Sequence, residues 1–316
     1  MAISPHAIEK GSIAIGPIAD SFFAEAIARG GGLVAPLSDS SRGLVWLANN
    51  SAKELASILA QHPGLSWIQL PWAGVDSYAD IIMNFSREGR VFTSAKGAYS
   101  EPVAEHALAL ALAVMRSLPH RARLDSWEGE IRGTSLHRKR VCILGGGGIA
   151  RELIRILSPF DTEITLVRRS GTAVSNDYRT VTSAALDDVL LSTDVLIVAA
   201  ALTPETRGMI GREQLERMPA GSWIVNVARG PIIDTDALVD ALYSGHLSGA
   251  GLDVTDPEPL PPGHRLWTAP NIIITPHQAD TPEMTRPLLA ERIVANVSAF
   301  MHGGSFFGIV DPELGY

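Results

Sequence analysis

Val141-Cys-Ile-Leu-Gly145-Gly-Gly147-Gly-Ile149-Ala150 is the stretch that decides the fold of this chain. Four apolar residues read as a buried strand, the glycines as a turn, and Ile149 and Ala150 as the start of a helix. Gly145 permits the tight turn, and Gly147 lets the backbone approach a pyrophosphate. Ala150 takes the third small position, where helix and strand pack closely. The N–H groups at the helix start, from Gly148 onward, present partial positive charge to phosphates. Gly145, Gly147, Gly148, Ile149 and Ala150 therefore form a candidate dinucleotide site.

Strands and helices alternate on the C-terminal side of this motif. Strands are expected at 164–167, 195–199, 223–227, 249–253 and 271–275, with helices at 150–157, 184–191, 212–217 and 236–244. The first hundred residues show the same alternation. Strands are expected at 12–16, 33–36, 44–48, 67–70 and 91–94, with helices at 22–29 and 52–61. Alternation of this kind predicts parallel sheets with helices on their faces. A helix at 103–118 is apolar on nearly every face, which suits either a core position or a contact between subunits. A last helical pattern spans 284–300. The 316 residues exceed what one core usually serves, so two α/β domains are expected, each a doubly wound parallel sheet.

The end of the second strand of the motif decides which dinucleotide fits. An acidic residue there would bind the ribose 2′-hydroxyl of NAD. The sequence reads Thr165-Leu-Val167-Arg168-Arg169-Ser170 instead, and Asp161 and Glu163 stand at the opposite end of the strand. Arg168, Arg169 and Ser170 suit a 2′-phosphate through charge-assisted hydrogen bonds. NADP is the expected cofactor, with NAD as the alternative.

Three later segments carry polar residues at strand ends: Ile224-Val-Asn-Val227-Ala-Arg229-Gly230, Gly251-Leu-Asp253-Val-Thr-Asp-Pro-Glu258-Pro-Leu260 and Ile274-Thr-Pro276-His277. Ligands of open parallel sheets bind beyond the C-terminal strand ends, so Arg229, Glu258 and His277 can converge there as a catalytic group. Ketone reduction needs such a set. Histidine is the side chain suited to give a proton near neutrality, a carboxylate beside it fixes its tautomer and favours its charged form, and a guanidinium forks onto a substrate carboxylate.

Composition excludes several other classes. A net charge of −8 argues against nucleic-acid and anionic-membrane partners. The single cysteine, Cys142, lies in an apolar run; with no intrachain disulfide available, a reducing, cytoplasmic compartment is expected. No signal peptide and no membrane span are indicated, and no metal is expected.

Taken together, these motifs resemble the D-isomer-specific 2-hydroxyacid dehydrogenases. The match also includes Trp72-Ala-Gly74-Val75-Asp76, Lys96-Gly97-Ala-Tyr99, Val103-Ala-Glu105-His106 and Leu202-Thr-Pro-Glu-Thr206, all in the family's order. The resemblance implies a Rossmann NAD(P)-binding domain, 99–280, inserted in a flavodoxin-like substrate domain, 1–98 plus 281–316. It implies Arg229 as substrate anchor, His277 as acid/base with Glu258 as its partner, and reduction of a small 2-oxo acid of the glyoxylate/hydroxypyruvate type to the D-2-hydroxy acid. It further implies that Asp253 and the Val227 backbone hold the nicotinamide carboxamide, and that backbone N–H groups around Ala73, Gly74 and Val75 receive the substrate carboxylate. Substrate would lie in a cleft that closes to exclude water. A homodimer is implied, with 103–118 and 121–136 near its two-fold axis.

The sequence departs from the family pattern at several points. Ala150 replaces the third glycine, Gly146 and Gly148 stand where side chains are common, Ser94 stands for an asparagine, and Gln278 and Asp280 replace small residues after His277. Two other readings compete. Phosphite dehydrogenases keep a similar Arg, Glu and His, and dinucleotide-sensing corepressors share the fold; formate enzymes lack the Glu258 equivalent.

Overall fold

The computed structural model describes residues 9–48, 51–127, 131–171 and 178–315. The chain divides into two compact units, Met1–Tyr99 with Pro282–Tyr316, and Ser100–Thr281. Both are α/β with fully parallel sheets, as expected.

The first unit is built on strands β1 (Ser12–Gly16), β2 (Ser41–Trp46), β3 (Trp67–Gln69) and β4 (Val91–Thr93), side by side in that order. Helices α1 (Ser21–Arg29), α2 (Ala52–Gln61) and α3 (Ala79–Ser86) connect them. The strand expected at 33–36 is reduced to one bridge, Val34 to Ile13, made by Ile13 N–H to Leu33 O (2.8 Å) and Ala35 N–H to Ile13 O (3.2 Å). Pro36 has no N–H with which to lengthen the ladder. The bridge lies on the far side of β1 from β2, so the order still reverses at β1, the flavodoxin-like arrangement.

Leu44, Trp46, Leu55, Leu59, Ile68 and Phe92 fill the core. A buried polar chain joins it to the C-terminal helix, Pro282–His302. Trp67 Nε1 donates to Thr93 Oγ1 (2.9 Å), Thr93 Oγ1 to Gln69 Oε1 (2.8 Å), and Asn296 Nδ2 to the same oxygen (2.7 Å). Gln69, Thr93 and Asn296 are fully buried and satisfied, as buried amides must be.

Among the described residues the second unit has seven strands: β5 (Arg140–Leu144), β6 (Glu163–Arg168), β7 (Arg179–Thr182), β8 (Val195–Val198), β9 (Ser222–Asn226), β10 (Leu247–Leu252) and β11 (Ile272–Ile274). Their order is β11-β10-β9-β8-β5-β6-β7, which reverses between β5 and β8 as in a Rossmann domain. β7 escaped the sequence reading because Arg-Thr-Val-Thr is a short, polar edge strand with no apolar alternation. Helices α4 (Ser100–Met115), α5 (Leu118–Arg121), α6 (Gly148–Leu157), α7 (Leu186–Leu190), α8 (Arg212–Arg217) and α9 (Thr235–Tyr243) complete the unit. The helix expected at 103–118 begins earlier and stops at Met115. Ser117 takes a left-handed conformation (φ 52°), and Pro119 can only sit in the first turn of α5. α4 lies on β10, where Gly251 leaves room for Leu110. Among the described residues, no helix is long and apolar enough to cross a membrane.

Candidate active site

The candidate residues of the second unit stand at the C-terminal ends of its strands, around the point where the strand order reverses. Gly145 follows β5 with φ +120°, and a side chain there would run into the Ala199 carbonyl after β8. Its N–H reaches Val167 O (2.8 Å), and Ala199 N–H reaches Leu144 O (2.8 Å), so three strand ends close on the turn. Gly147 caps α6 without a side-chain oxygen, and a Cβ on it would meet nothing within 4 Å. The first N–H groups of α6, from Gly148 and Ile149 onward, therefore have no side-chain cap and face an open approach. Ala150 is buried. This cradle fits a dinucleotide pyrophosphate.

Arg168 ends β6 and turns back over the glycine loop. A Cβ on Gly146 would lie 3.0 Å from its Cδ and Nε, so the absence of a side chain at 146 is what makes room for it. Arg169 and Ser170 are exposed. Glu205, on the loop after β8, has its carboxyl held below the ordinary value, first by a hydrogen bond from Thr203 and also by the charge of Arg169. Cys142 lies under the loop, where burial pushes its thiol up to about 12 and leaves it inert.

Glu258 and His277 come together. His277 Nδ1 lies 2.6 Å from Glu258 Oε1, and Glu258 Oε2 accepts from Thr255 N–H at 3.4 Å. Arg229 sits on the loop after β9. Asn226, fully buried, shapes this loop by accepting from Ala228 N–H and donating to Arg229 O, both at 3.0 Å. One guanidinium nitrogen of Arg229 donates to Ala228 O (2.7 Å). Gly230 presses the Arg229 loop onto the Glu258 loop, for any Cβ there would land on the Thr255 carbonyl. Val227 N–H is tied to Val198 O (3.2 Å).

The turn that carries His277 is held by Asp253, which is 2% exposed. Its Oδ1 accepts from Thr275 Oγ1 (2.6 Å) and Gln278 N–H (2.9 Å), and its Oδ2 from Ala279 N–H (3.1 Å). His277 N–H reaches Asp253 O at 2.7 Å. These bonds hold His277 in a left-handed conformation (φ 54°) that costs a non-glycine residue about 1–3 kcal/mol. A carboxylate has about four acceptor positions, so Asp253 retains one, on Oδ2. Asp280, one of the departures after His277, has its carboxyl raised by burial and by the charge of Asp253, with His277 opposing. The part of Asp253 in the turn, beyond the cofactor contact that the resemblance implies, depends on which backbone amides fold back toward it, which spacing does not reveal.

In the first unit, Ala73, Gly74 and Val75 form the loop after β3. Tyr99 Oη donates to Pro71 O (2.6 Å) and Ala95 N–H to Trp72 O (3.0 Å), bracing the loop's start. Val75 O accepts from Tyr78 N–H (2.8 Å) at its end. Ser94 is buried and turns its hydroxyl to Lys96 N–H (3.2 Å), a local cap. Among the described residues, no cluster of three His, Cys, Asp or Glu could hold a metal ion.

Residues 107–279 match the family described as D-isomer specific 2-hydroxyacid dehydrogenase, NAD binding domain. An uncharacterized protein in the proB 3′ region of Corynebacterium melassecola is 36% identical over 273 residues, 85% of this chain and 88% of that protein. The glyoxylate reductase of Thermofilum pendens is 32% identical over 272 residues, 82% of this chain and 78% of that enzyme. Among solved structures, a D-isomer specific 2-hydroxyacid dehydrogenase from Xanthobacter autotrophicus Py2, in complex with NADPH and MES, aligns with a TM-score of 0.80. The two are 27% identical, and the alignment covers 98% of this chain and 100% of that one.

Proposed function

Because the chain belongs to the D-isomer specific 2-hydroxyacid dehydrogenases, a family of NAD(P)-dependent oxidoreductases, we propose that it reduces a glyoxylate- or hydroxypyruvate-type 2-oxo acid to the D-2-hydroxy acid, with NADPH preferred. The observation that carries this reading is the 2.6 Å contact between His277 Nδ1 and Glu258 Oε1. With Nδ1 tied to the carboxylate, Nε2 is the nitrogen left to act on substrate.

The reduced nicotinamide, when bound, supplies the hydride to the carbonyl carbon. His277 gives the Nε2 proton to the carbonyl oxygen and takes it back in the reverse reaction. Arg229 anchors the substrate carboxylate and polarises the carbonyl. Backbone N–H groups of Ala73, Gly74 and Val75 are further proposed donors to that carboxylate. The Val227 carbonyl and the remaining acceptor position of Asp253 take the carboxamide. Gly145, Gly147, Gly148, Ile149 and Ala150 receive the pyrophosphate, and Arg168, with Arg169 and Ser170, the 2′-phosphate.

A homodimer completes the proposal. Leu118, Trp127, Ile131 and Trp267 of the second unit are exposed apolar residues of a kind that subunits cover. Residues 128–130 of the segment assigned to the interface lie outside the described residues. Sedimentation at micromolar concentration tests it, and a monomer removes it. We also place the enzyme in a reducing, cytoplasmic compartment, with no nucleic-acid or membrane partner.

The deciding experiment is kcat/KM for glyoxylate, hydroxypyruvate and pyruvate, each with NADPH and NADH. Turnover of the first two supports the reading. No turnover of any oxo acid, with cofactor still bound, would favour a sensing role, and oxidation of phosphite the phosphite-dehydrogenase alternative.

A further inference from the structure

A second histidine lies behind the turn that carries His277. His106, on α4, places Nε2 2.9 Å from Thr275 Oγ1, across 169 positions of sequence. Thr275 Oγ1 in turn donates to Asp253 Oδ1 at 2.6 Å. Asp253 also receives two backbone N–H groups, from Gln278 and Ala279, and as a carboxylate can only accept. A hydroxyl owns one hydrogen, and that of Thr275 goes to Asp253. Toward His106, Thr275 Oγ1 can therefore only accept, which puts a hydrogen on His106 Nε2. The same nitrogen stands 3.6 Å from Asp253 Oδ1, so the donor end of the imidazole faces the buried carboxylate.

We propose that His106 is a positioning residue for the reduction: through Thr275 it orients the Asp253 carboxylate that holds the 275–279 turn, and so sets the angle at which His277 meets Glu258. The proposal adds a residue to the reading above and rests on it only for the activity that reports the effect. The left-handed His277 is held by the carbonyl and carboxylate of Asp253 and by Thr275 O, and His106 is the side chain through which α4 fixes that assembly. A relay of this kind requires a donor at Nε2 and a hydroxyl at 275; bulk alone does not replace either.

The test uses His106→Ala, His106→Gln, Thr275→Val and the double variant His106→Ala/Thr275→Val, each in the full chain. Glutamine offers a neutral N–H donor of similar reach, and valine keeps the shape of threonine without its hydroxyl. His106→Ala is expected to lower kcat for glyoxylate by roughly 10- to 100-fold, the scale of a small misplacement of a reacting group. His106→Gln should recover most of the loss. The double variant should be no slower than the slower single variant, because residues in one network are not additive. Hydrogen exchange at the Gln278 and Ala279 amides should speed up in His106→Ala and slow again in His106→Gln. The proposal is overturned if His106→Ala keeps parental kcat, if glutamine does no better than alanine, or if the two losses add. A parent that turns over no oxo acid would defeat the functional reading instead. Hydrogen exchange would still decide this one, with unchanged amide protection overturning it.

Discussion

His277 Nδ1 meets Glu258 Oε1 at 2.6 Å although the two side chains are 48% and 40% exposed and stand on separate loops. A pair so open to water contributes little to stability, so its worth lies in orientation. His277→Ala should therefore lower kcat by roughly 10²–10⁴-fold while NADPH affinity and thermal midpoint hardly move. Glu258→Gln keeps the shape and loses the charge, and should give a smaller loss in kcat. Steady-state kinetics and a fluorescence titration of NADPH check both; intact turnover in His277→Ala would remove the histidine from the mechanism.

Gly230 predicts a sharper structural failure. A methyl group there meets the Thr255 carbonyl and comes 2.6 Å from Asp256 N, and backbone cannot yield as a side-chain tip can. Gly230→Ala should cost about 1–3 kcal/mol or more as overpacking, a fall of roughly 3–10 °C in Tm for a unit of this size. Activity should fall too, because the segments forced apart carry Arg229 and Glu258. Parental Tm and kcat in this variant would mean that the two loops are not pressed together.

The cofactor turn was legible because its signal is local: Gly145, Gly147 and Ala150 each answer a constraint set within ten residues of chain. Arg229, Glu258 and His277 were legible because each follows an apolar strand, and strand ends converge in a parallel sheet. What stayed hidden is tertiary. Ser117 carries no strong left-handed signal, yet it ends α4. His106 read as one letter of a motif until Thr275 was placed 2.9 Å from it. Gly146 read as a missing side chain, and only the path of Arg168 shows what that absence accommodates.

In the first unit, Asp20 caps α1 through Phe22 N–H (3.0 Å) and pairs with Arg286 of the C-terminal helix (3.0 and 3.2 Å). The hydrogen bond from Arg286 holds its carboxyl below the ordinary value. A carboxylate with a depressed folded pKa adds stability that is fully present above its unfolded value, near 3.9, and is lost as pH falls through the folded value. Asp20→Asn keeps a capping oxygen and removes the charge, so it should be less stable at pH 6 by about 0.5–1 kcal/mol, the range for a partly exposed pair. The gap in Tm between parent and variant should close as pH falls below about 4. A gap as wide at pH 2 as at pH 6 would mean that the charge is not what ties the two helices.

We propose that cofactor choice is decided where Arg168 crosses Gly146. The end of β6 has no carboxylate to accept ribose hydroxyls or to repel a 2′-phosphate, and Arg168 leaves the strand directly over the glycine loop. One hydrogen bond to a charged group contributes roughly 1.5–3 kcal/mol, which corresponds to about a 10- to 150-fold preference for NADPH. Arg169 and Ser170 are exposed and should contribute less, because salt screens surface charge. Arg168→Ala should therefore remove most of the preference, and Arg168→Asp should reverse it by adding repulsion to the lost attraction. Gly146 gives an independent check. Its backbone is not left-handed, so a side chain there is unstrained in itself, yet a Cβ would sit 3.0 Å from Arg168 Cδ and Nε. Gly146→Leu should push Arg168 off the loop and lower the NADPH:NADH ratio, whereas in an Arg168→Ala background it should leave the ratio alone. The measurement is kcat/KM for both cofactors on one oxo acid at low and at high salt. Equal values for the parent would mean that Arg168 does not reach the phosphate, and a Gly146→Leu ratio matching the parent would mean that the guanidinium finds it without crossing the loop.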